Sequence, residues 1–333
     1  MSAFTQLPTD RYSRKAFEGF TVSTAFVPQN ALALAWMSQL AYETDDPKKI
    51  ADILAMWGLG LVQGGVVVEE VATVLPQAST HCIVAAGPKF AVVAIAGTDP
   101  VVLANWITNF DVHPGATGTT KGHQVAANSV WPRLKPLIAG AVPADGSIFV
   151  TGHSLGGALA TVIADRISTE PSLAKVNAVY TFGMSRPGDA TFAAAYNQRL
   201  GPCTYRLVHG EDLVPTVAPS FLGFRHVGRH LRCDRLGKFS SANLAPNTAS
   251  DEPSFVKGVS KELTELVQGP LSGVLSFAAR MKLAAALVAG VGPAGARTDL
   301  GGIAIELLPP RVRDHMPDRY IAACESQSKL IKL

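Results

Sequence analysis

Apolar residues along the chain fall alternately into short continuous runs and into runs with helical spacing. Between residues 147 and 209 the order is strand, helix, strand, helix, strand, carried by SIFVTG, LGGALATVIADRISTE, VNAVYTFG, DATFAAAYNQRL and TYRLVHG. The strand runs are apolar on both faces, which is typical of a mainly parallel sheet covered by helices on both sides. The pattern therefore predicts an α/β fold.

Further elements are predicted nearer the N-terminus. Apolar residues at helical spacing predict a helix that starts near Asn30, and two apolar runs that flank the Gly87-Pro88 turn signal predict a pair of strands. A later segment has helical spacing but contains Pro132 and Pro136, so we expect a kinked or broken helix there.

Composition and charge narrow the class of protein. The 333 residues are 47% hydrophobic, which is enough for a substantial core, and the net charge of +3 comes without a block of Lys or Arg. A nucleic-acid partner is therefore not expected. Residues 1–30 lack the continuous apolar run of a secretory signal, which favours a cytoplasmic location.

The cysteines give no sign of a metal site. They are far apart, without a C-x-x-C pair or a Cys/His cluster at metal-ligand spacing, and they are Cys82, Cys203, Cys233 and Cys324. Free thiols are the favoured interpretation over disulfides, and we expect no zinc site.

One serine lies where a strand passes sharply into a helix. Ser154 is the centre of GHSLG, with an apolar β run before it and residues at helical spacing after it. This is the setting of a nucleophile elbow, in which Gly152 and Gly156 leave room for neighbouring backbone. An idle N-cap serine in a tight turn is the structural alternative, and the context disfavours it.

A reactive serine needs a base and a group that orients the base. Glu211 and Asp212 follow the strand TYRLV, at the edge where open α/β sheets bind ligands, and either carboxylate suits the orienting role. The candidate histidines downstream of these carboxylates are His226, His230 and His315. The first two lie in an alternating segment that predicts a late strand, for which a packed or surface role is favoured. Spacing alone does not decide for His315.

Several motifs together resemble the class 3, or fungal-type, lipases of the α/β-hydrolase fold. The similarity runs in the same order from about residue 30 to 235 and again from 312 to 322, through VVAIAGTDP, NWITNFDV, GHSLGGALA, YTFGMSRPGD, GEDLVP and DHMPDRYI. The combination is much more specific than any one motif. It implies a mainly parallel central sheet with helices on both faces and an additional helical insertion before the catalytic histidine.

The resemblance also implies a role for five residues. Ser154 would be the nucleophile, Asp212 the orienting acid and His315 the general base. The backbone N–H groups of Thr98 and Leu155 would form the oxyanion hole. Such chemistry requires neither a metal nor an organic cofactor.

The chain departs from the family pattern at two positions. Asn109 stands where the family has Asp, and Ser185 stands where it has Pro before Arg186. These changes concern the family's supporting hydrogen bonds around Trp106 and Arg186, and not the expected triad.

Two segments allow more than one interpretation. The lid position of the family corresponds to Asp99, Pro100, Val101, Val102 and Leu103, and a short helix packed on the domain fits these residues equally well. Residues 250–298 predict two amphipathic helices that would cap the acyl-binding cleft, dock on lipid, form an oligomer interface or cover the sheet. Otherwise we expect one domain over residues 1–333, with an N-terminal extension at 1–29.

The function implied is that of a serine ester hydrolase, a lipase or carboxylesterase that acts on a lipid or small-molecule ester. Phospholipase A1 and thioesterase activities are variants of the same chemistry. A catalytically silent lipid-binding protein on the same fold is the alternative from another class. Contact with a lipid interface would be transient, and the sequence does not indicate an oligomeric state.

Overall fold

The computed structural model describes residues 5–71, 79–98, 119, 121–218, 220–233, 239 and 310–329. Over these residues, seven strands form one sheet and a two-residue strand pair lies apart from it. The strands in chain order are β1 (Gly60–Glu70), β2 (Ser79–Ala86), β3 (Phe90–Ile95), β4 (Ser147–His153), β5 (Lys175–Phe182), β6 (Gly188–Asp189), β7 (Thr204–His209), β8 (Phe224–Arg225) and β9 (Arg229–Cys233).

The sheet has the order β1-β2-β3-β4-β5-β7-β9. β1, β2 and β3 are antiparallel neighbours, whereas every pair from β3 to β9 is parallel. The carboxyl ends of the parallel strands therefore lie along one edge, where the loops that carry functional residues are expected. The predicted strand pair around Gly87-Pro88 and the predicted parallel sheet are confirmed.

Helices cover both faces of the sheet, as predicted. Their bounds are α1 (Pro28–Leu40), α2 (Pro47–Met56), α3 (Lys121–Ala141), α4 (Leu155–Ser168), α5 (Ala190–Arg199), α6 (Pro310–Arg313) and α7 (Pro317–Lys329). Successive side chains of β4 point to opposite faces, so that Phe149 packs in the cluster with α1 and α7, while Ile148 and Val150 pack in the cluster with α3 and α4. Each face thus has its own apolar core.

The helix with two prolines is not broken. α3 continues without a break through Pro132 and Pro136, where the sequence predicts a kinked or broken element. Both prolines are exposed, as is Asn128, which lies four residues before Pro132. Water can therefore bond the carbonyls that lose their N–H partner, which makes the prolines tolerable in this helix.

The N-terminal segment is packed into the domain. Leu7, Tyr12 and Ala16 are buried in the same cluster as α1 and α7. Asn30 in α1 ties down the following stretch, because its side-chain oxygen accepts from the N–H of Thr21 at 2.9 Å and its amide donates to the carbonyl of Thr21 at 2.7 Å. α1 itself begins at Pro28, close to the start predicted near Asn30.

Two expected elements lie outside the described residues, namely the lid at 99–103 and the helical insertion at 250–298. Among the described helices, none is long and apolar enough to cross a membrane. The four cysteines are all described, and each carries a thiol rather than a disulfide. In the same part of the chain, no group of three or more His, Cys, Asp or Glu is placed to hold a metal ion.

Candidate functional site

Ser154 occupies the sharp turn between β4 and α4. Its backbone has φ 60° and ψ −134°, a left-handed conformation that side chains rarely adopt, and its side chain makes no capping hydrogen bond to the helix. A Cβ on Gly152 would lie 2.3 Å from the carbonyl oxygen of Gly156, and one on Gly156 would lie 2.4 Å from that of Ile95. The two glycines are therefore required by close backbone contacts, and the serine is held in place for a purpose other than capping.

The end of β3 lies directly against this turn. A Cβ on Gly97 would come within 2.7 Å of the Cβ of Ser154 and within 2.6 Å of the carbonyl oxygen of His153. Thr98 follows and is 5% exposed. Leu155 is the first residue of α4, so its N–H has no carbonyl one turn earlier in the helix to bond. Gly97, the residue before Thr98, and the positive end of α4 thus flank the serine.

Asp212 and His315 are brought together although they are far apart in sequence. His315 Nδ1 donates to Asp212 Oδ2 at 2.7 Å, and both side chains are buried. Oδ2 also accepts from the hydroxyl of Tyr320 at 2.6 Å, and Oδ1 accepts from the N–H of Val214 at 2.8 Å. Because Nδ1 carries the proton, the other ring nitrogen of His315 is left as an acceptor.

The hydroxyl of Ser154 and the free ring nitrogen of His315 are not hydrogen-bonded to each other. Among the described residues, neither Ser154 Oγ nor His315 Nε2 has a hydrogen-bond partner, and both atoms are buried. The ring of His153, next to the serine, lies 4.5 Å from the ring of His315 between centroids. The N–H of Ser154 donates to the carbonyl of Phe182 at 2.8 Å, and a Cβ on the next residue, Gly183, would lie 2.9 Å from His315 Cε1. The structure therefore brings Ser154, Asp212 and His315 to one place.

A second histidine supports the first. His153 Nε2 donates to the carbonyl of His315 at 2.7 Å, so Nδ1 accepts from the hydroxyl of Tyr42 at 2.8 Å. Burial, together with the nearby charge of His315, lowers the pKa of His153 well below its ordinary value. His153 is thus a neutral donor over the physiological pH range. Sequence reasoning assigned no role to Tyr42, His153 or Tyr320; only Tyr320 had a signal, its position five residues after His315.

The alternatives considered from the sequence occupy other positions. Glu211 faces Arg311, with Arg311 Nη2 donating to its Oε2 at 3.0 Å. His226 Nε2 donates to the carbonyl of Pro215 at 2.8 Å, and burial and two arginines lower its pKa well below the ordinary value. For His230, in β9, burial and the nearby charge of Arg206 lower the pKa to about 2. The packed role favoured for these two histidines fits what is observed.

Arg186 fixes the loop that follows Asp212. Its Nη1 donates to the carbonyls of Thr216 at 2.5 Å and Ala218 at 2.7 Å, and its backbone N–H donates to the carbonyl of Val217 at 2.6 Å. The presence of Ser185 instead of proline does not prevent these bonds. The other departure from the family pattern, Asn109 near Trp106, lies outside the described residues.

Comparison with known sequences finds one family and several relatives. The model of the family "Lipase (class 3)" matches residues 92–222. The secreted mono- and diacylglycerol lipase 1 of Fusarium solani is 35% identical over 147 residues, which cover 41% of this chain and 42% of that protein. The secreted mono- and diacylglycerol lipase LIP1 of Malassezia globosa is 37% identical over 99 residues, which cover 30% of this chain and 32% of that protein. The chain thus spans less than half the length of these curated relatives.

Comparison with solved structures gives the same fold. Lipase II from Rhizopus niveus superposes with a TM-score of 0.51 at 22% identity. The superposition covers 66% of this chain and 86% of the Rhizopus niveus lipase. The mono- and diacylglycerol lipase from Aspergillus oryzae superposes with a TM-score of 0.54 at 18% identity, and the superposition covers 70% of this chain and 94% of that lipase. The chain therefore has the α/β-hydrolase fold that its sequence predicts.

The cytoplasmic location expected from the sequence is wrong. It was based on the lack of an apolar run in residues 1–30, a local feature that does not decide the compartment of a protein. The relatives from Fusarium solani and Malassezia globosa are named as secreted proteins, which points to export instead.

Proposed function

We propose that this chain is a class 3 lipase, a serine ester hydrolase that cleaves acylglycerols through an acyl-enzyme on Ser154. The observation that carries the proposal is the strained, buried serine beside a histidine whose Nδ1 is bonded to Asp212 at 2.7 Å. A nucleophile, a base and an orienting acid in this arrangement perform acyl transfer on unrelated folds.

In the proposed reaction, His315 Nε2 takes the proton from Ser154 Oγ as the oxygen attacks the ester carbonyl. The imidazolium then protonates the departing alcohol, and water repeats the sequence on the acyl-enzyme. Asp212 holds the ring in the tautomer that leaves Nε2 as the acceptor and offsets the positive charge that develops on it. Tyr320 and the N–H of Val214 keep the carboxylate from rotating.

The backbone N–H groups of Thr98 and Leu155 are the proposed oxyanion donors. Leu155 begins α4, so its N–H and the helix dipole both favour a negative charge at that position. Gly97 supports the same assignment, because it precedes Thr98 and its backbone lies so near Ser154 that an added Cβ would come within 2.7 Å of the serine Cβ. A lost donor of this kind typically costs about 3 kcal/mol of transition-state stabilisation.

For the substrate we propose mono- and diacylglycerols. The support comes from the relatives of Fusarium solani and Malassezia globosa and the structural neighbour from Aspergillus oryzae, which are all named for these substrates. The test compares the rate of fatty acid release from four lipids dispersed in the same way, namely monoolein, diolein, triolein and phosphatidylcholine. We expect monoolein and diolein to be cleaved fastest. Faster release of fatty acid from phosphatidylcholine would favour phospholipase A1 activity instead.

Hydrolysis of p-nitrophenyl butyrate by the wild type and by Ser154→Ala tests the chemistry. We expect Ser154→Ala to lose at least about 10³-fold in kcat. Ser168→Ala is the matched control, since Ser168 ends the helix that follows Ser154 and its hydroxyl bonds only its own backbone turn, at Asp165, in the described residues. A fluorophosphonate should label the wild type and not Ser154→Ala. An active, labelled Ser154→Ala variant would refute the proposal and indicate another nucleophile. A wild type that is neither active nor labelled would instead favour the silent lipid-binding alternative.

A further inference from the structure

The base and the acid of the proposed site reach each other from distant parts of the chain. Asp212 and His315 are 103 residues apart in sequence. His315 lies between two helices, α6 and α7, of which α6 has only four residues. The covalent chain therefore does not fix the distance between the two side chains, and noncovalent contacts must set it.

The residues directly before Asp212 and His315 are bonded to each other. The N–H of Glu211 donates to Asp314 Oδ2 at 2.9 Å. Asp314 Oδ1 also lies 3.9 Å from Nδ1 of His209, the last residue of β7. Each partner of the Glu211 to Asp314 bond is one peptide unit from a residue of the proposed triad, so a shift in either segment is passed directly to the acid or the base.

An ion pair joins the same two segments a second time. Arg311 Nη2 donates to Glu211 Oε2 at 3.0 Å, and the two side chains are 9% and 24% exposed. A charge-assisted bond shielded from water in this way is less screened than a pair on the open surface. α6 transmits the contact, because the N–H of His315 donates to the carbonyl of Val312, next to Arg311, at 3.1 Å.

We propose that Glu211, Arg311 and Asp314 are positioning residues, a charged clasp that holds His315 against Asp212. The proposal rests on the proposed function and deepens it by assigning a role to Glu211, the carboxylate that competed with Asp212 in the sequence. The clasp acts through the base and touches no substrate. Since it joins two short segments rather than two layers of the core, its loss should misplace the base before it unfolds the protein.

The test measures kcat and KM for p-nitrophenyl butyrate in Glu211→Gln, Arg311→Met and the double variant. Active sites are counted by fluorophosphonate labelling and folding is followed by thermal melting. We expect each single variant to lose about tenfold in kcat with KM within about twofold of wild type, because misplacement of a base by a fraction of an ångström slows chemistry rather than binding. The double variant should lose no more than either single one, because the pair acts as a unit. Arg311→Lys should recover most of the rate.

A matched pair elsewhere serves as the control. Lys135 Nζ lies 2.7 Å from Glu170 Oε2, with side chains 40% and 24% exposed, and the pair joins α3 to the end of α4. Lys135→Met with Glu170→Gln should leave kcat within about twofold of wild type. Glu211→Gln is nearly isosteric and keeps the test decisive if Arg311→Met does not fold.

Two outcomes would overturn the clasp. In one, the melting temperature falls in the variants while kcat per labelled site stays at the wild-type value, which is what a merely structural ion pair would give. In the other, the losses of the two single variants multiply in the double variant. A wild type that neither hydrolyses the ester nor reacts with the fluorophosphonate would instead refute the proposed function, and the inference would fall with it.

Discussion

Replacing Gly183 by alanine should slow the reaction at the proposed site by about 10²-fold although it removes none of the site's functional groups. Gly183 follows β5 with φ 61°, and its N–H donates to the carbonyl of Leu207 at 3.1 Å, which holds it in place. A Cβ at this position would lie 2.7 Å from Asp212 Oδ2 and 2.8 Å from His315 Nδ1. The new methyl group would therefore press on both atoms of the hydrogen bond that orients the base.

The size of the effect follows from these distances. Asp212 Oδ2 would have to move by about 0.7 Å to reach the 3.4 Å of ordinary van der Waals contact, and His315 by about as much. A misplacement near 1 Å at a reacting group costs about 10²-fold in rate, or about 2.7 kcal/mol in the activation barrier. The positive φ adds a separate cost of roughly 1–2 kcal/mol in stability.

The measurement is kcat for p-nitrophenyl butyrate per folded protein, with the melting temperature recorded beside it. Gly58→Ala is the control, because Gly58 has a φ of 73° and a Cβ on it would meet nothing within 4 Å. Both variants should melt at a lower temperature, and only Gly183→Ala should lose about 10²-fold in kcat. If Gly183→Ala keeps more than half of its activity, or if Gly58→Ala loses as much, the contact of Gly183 with the acid and the base does not matter for catalysis.

Two further predictions concern buried polar groups. Tyr320→Phe removes a hydroxyl that donates to Asp212 and accepts from the N–H of His209 at 3.1 Å, so we expect kcat to fall about tenfold and the free energy of unfolding to fall by about 1–3 kcal/mol. A lower melting temperature with an unchanged kcat would contradict a positioning role for Tyr320. Burial lowers the pKa of His123 from 6.5 to about 4. Between pH 6.5 and about pH 4 the unfolded chain therefore binds a proton that the folded protein does not. The free energy of unfolding should fall by up to about 3 kcal/mol as the pH falls through this range. His123→Gln should therefore lose less in melting temperature than wild type between about pH 7 and pH 4, and an equal loss would exclude this residue as the cause.

The elbow could be predicted from the sequence because its causes are local. The strand before Ser154, the helix after it and the two glycines around it all lie within one short stretch, so the whole signal is visible there. Only the contact of Gly156 with Ile95 reaches a distant part of the chain. The choice between Glu211 and Asp212 as the orienting acid depends on residues far away in the sequence. Glu211 and Asp212 are adjacent, and the partner of each comes from residues 311–315, about 100 positions later. Spacing left this choice open, and only the resemblance to a family favoured Asp212.

Other elements were missed because their pattern is interrupted. β1 contains Gly64 and Gly65 in its middle, and its pairing with β2 shifts register between Leu61 and Val66. A Cβ on Gly65 would lie 2.7 Å from the carbonyl oxygens of Val62 and Val84, so the glycine belongs to an irregularity that breaks the two-residue alternation of a strand. A sequence scan for regular alternation therefore passes over this edge strand.

The hydrogen bonds described around the site hold the acid and the base but not the serine hydroxyl, and a physical reason accounts for this. The serine hydroxyl turns about a single bond, so its reorientation toward Nε2 costs little, whereas a misplaced imidazole cannot be corrected by so small a motion. His315 is accordingly bonded through its ring to Asp212, through its carbonyl to His153 and through its N–H to Val312. These bonds hold in place a group whose misplacement a single rotation would not correct. Substitutions around His315 should therefore cost more activity than equally buried substitutions in the sheet.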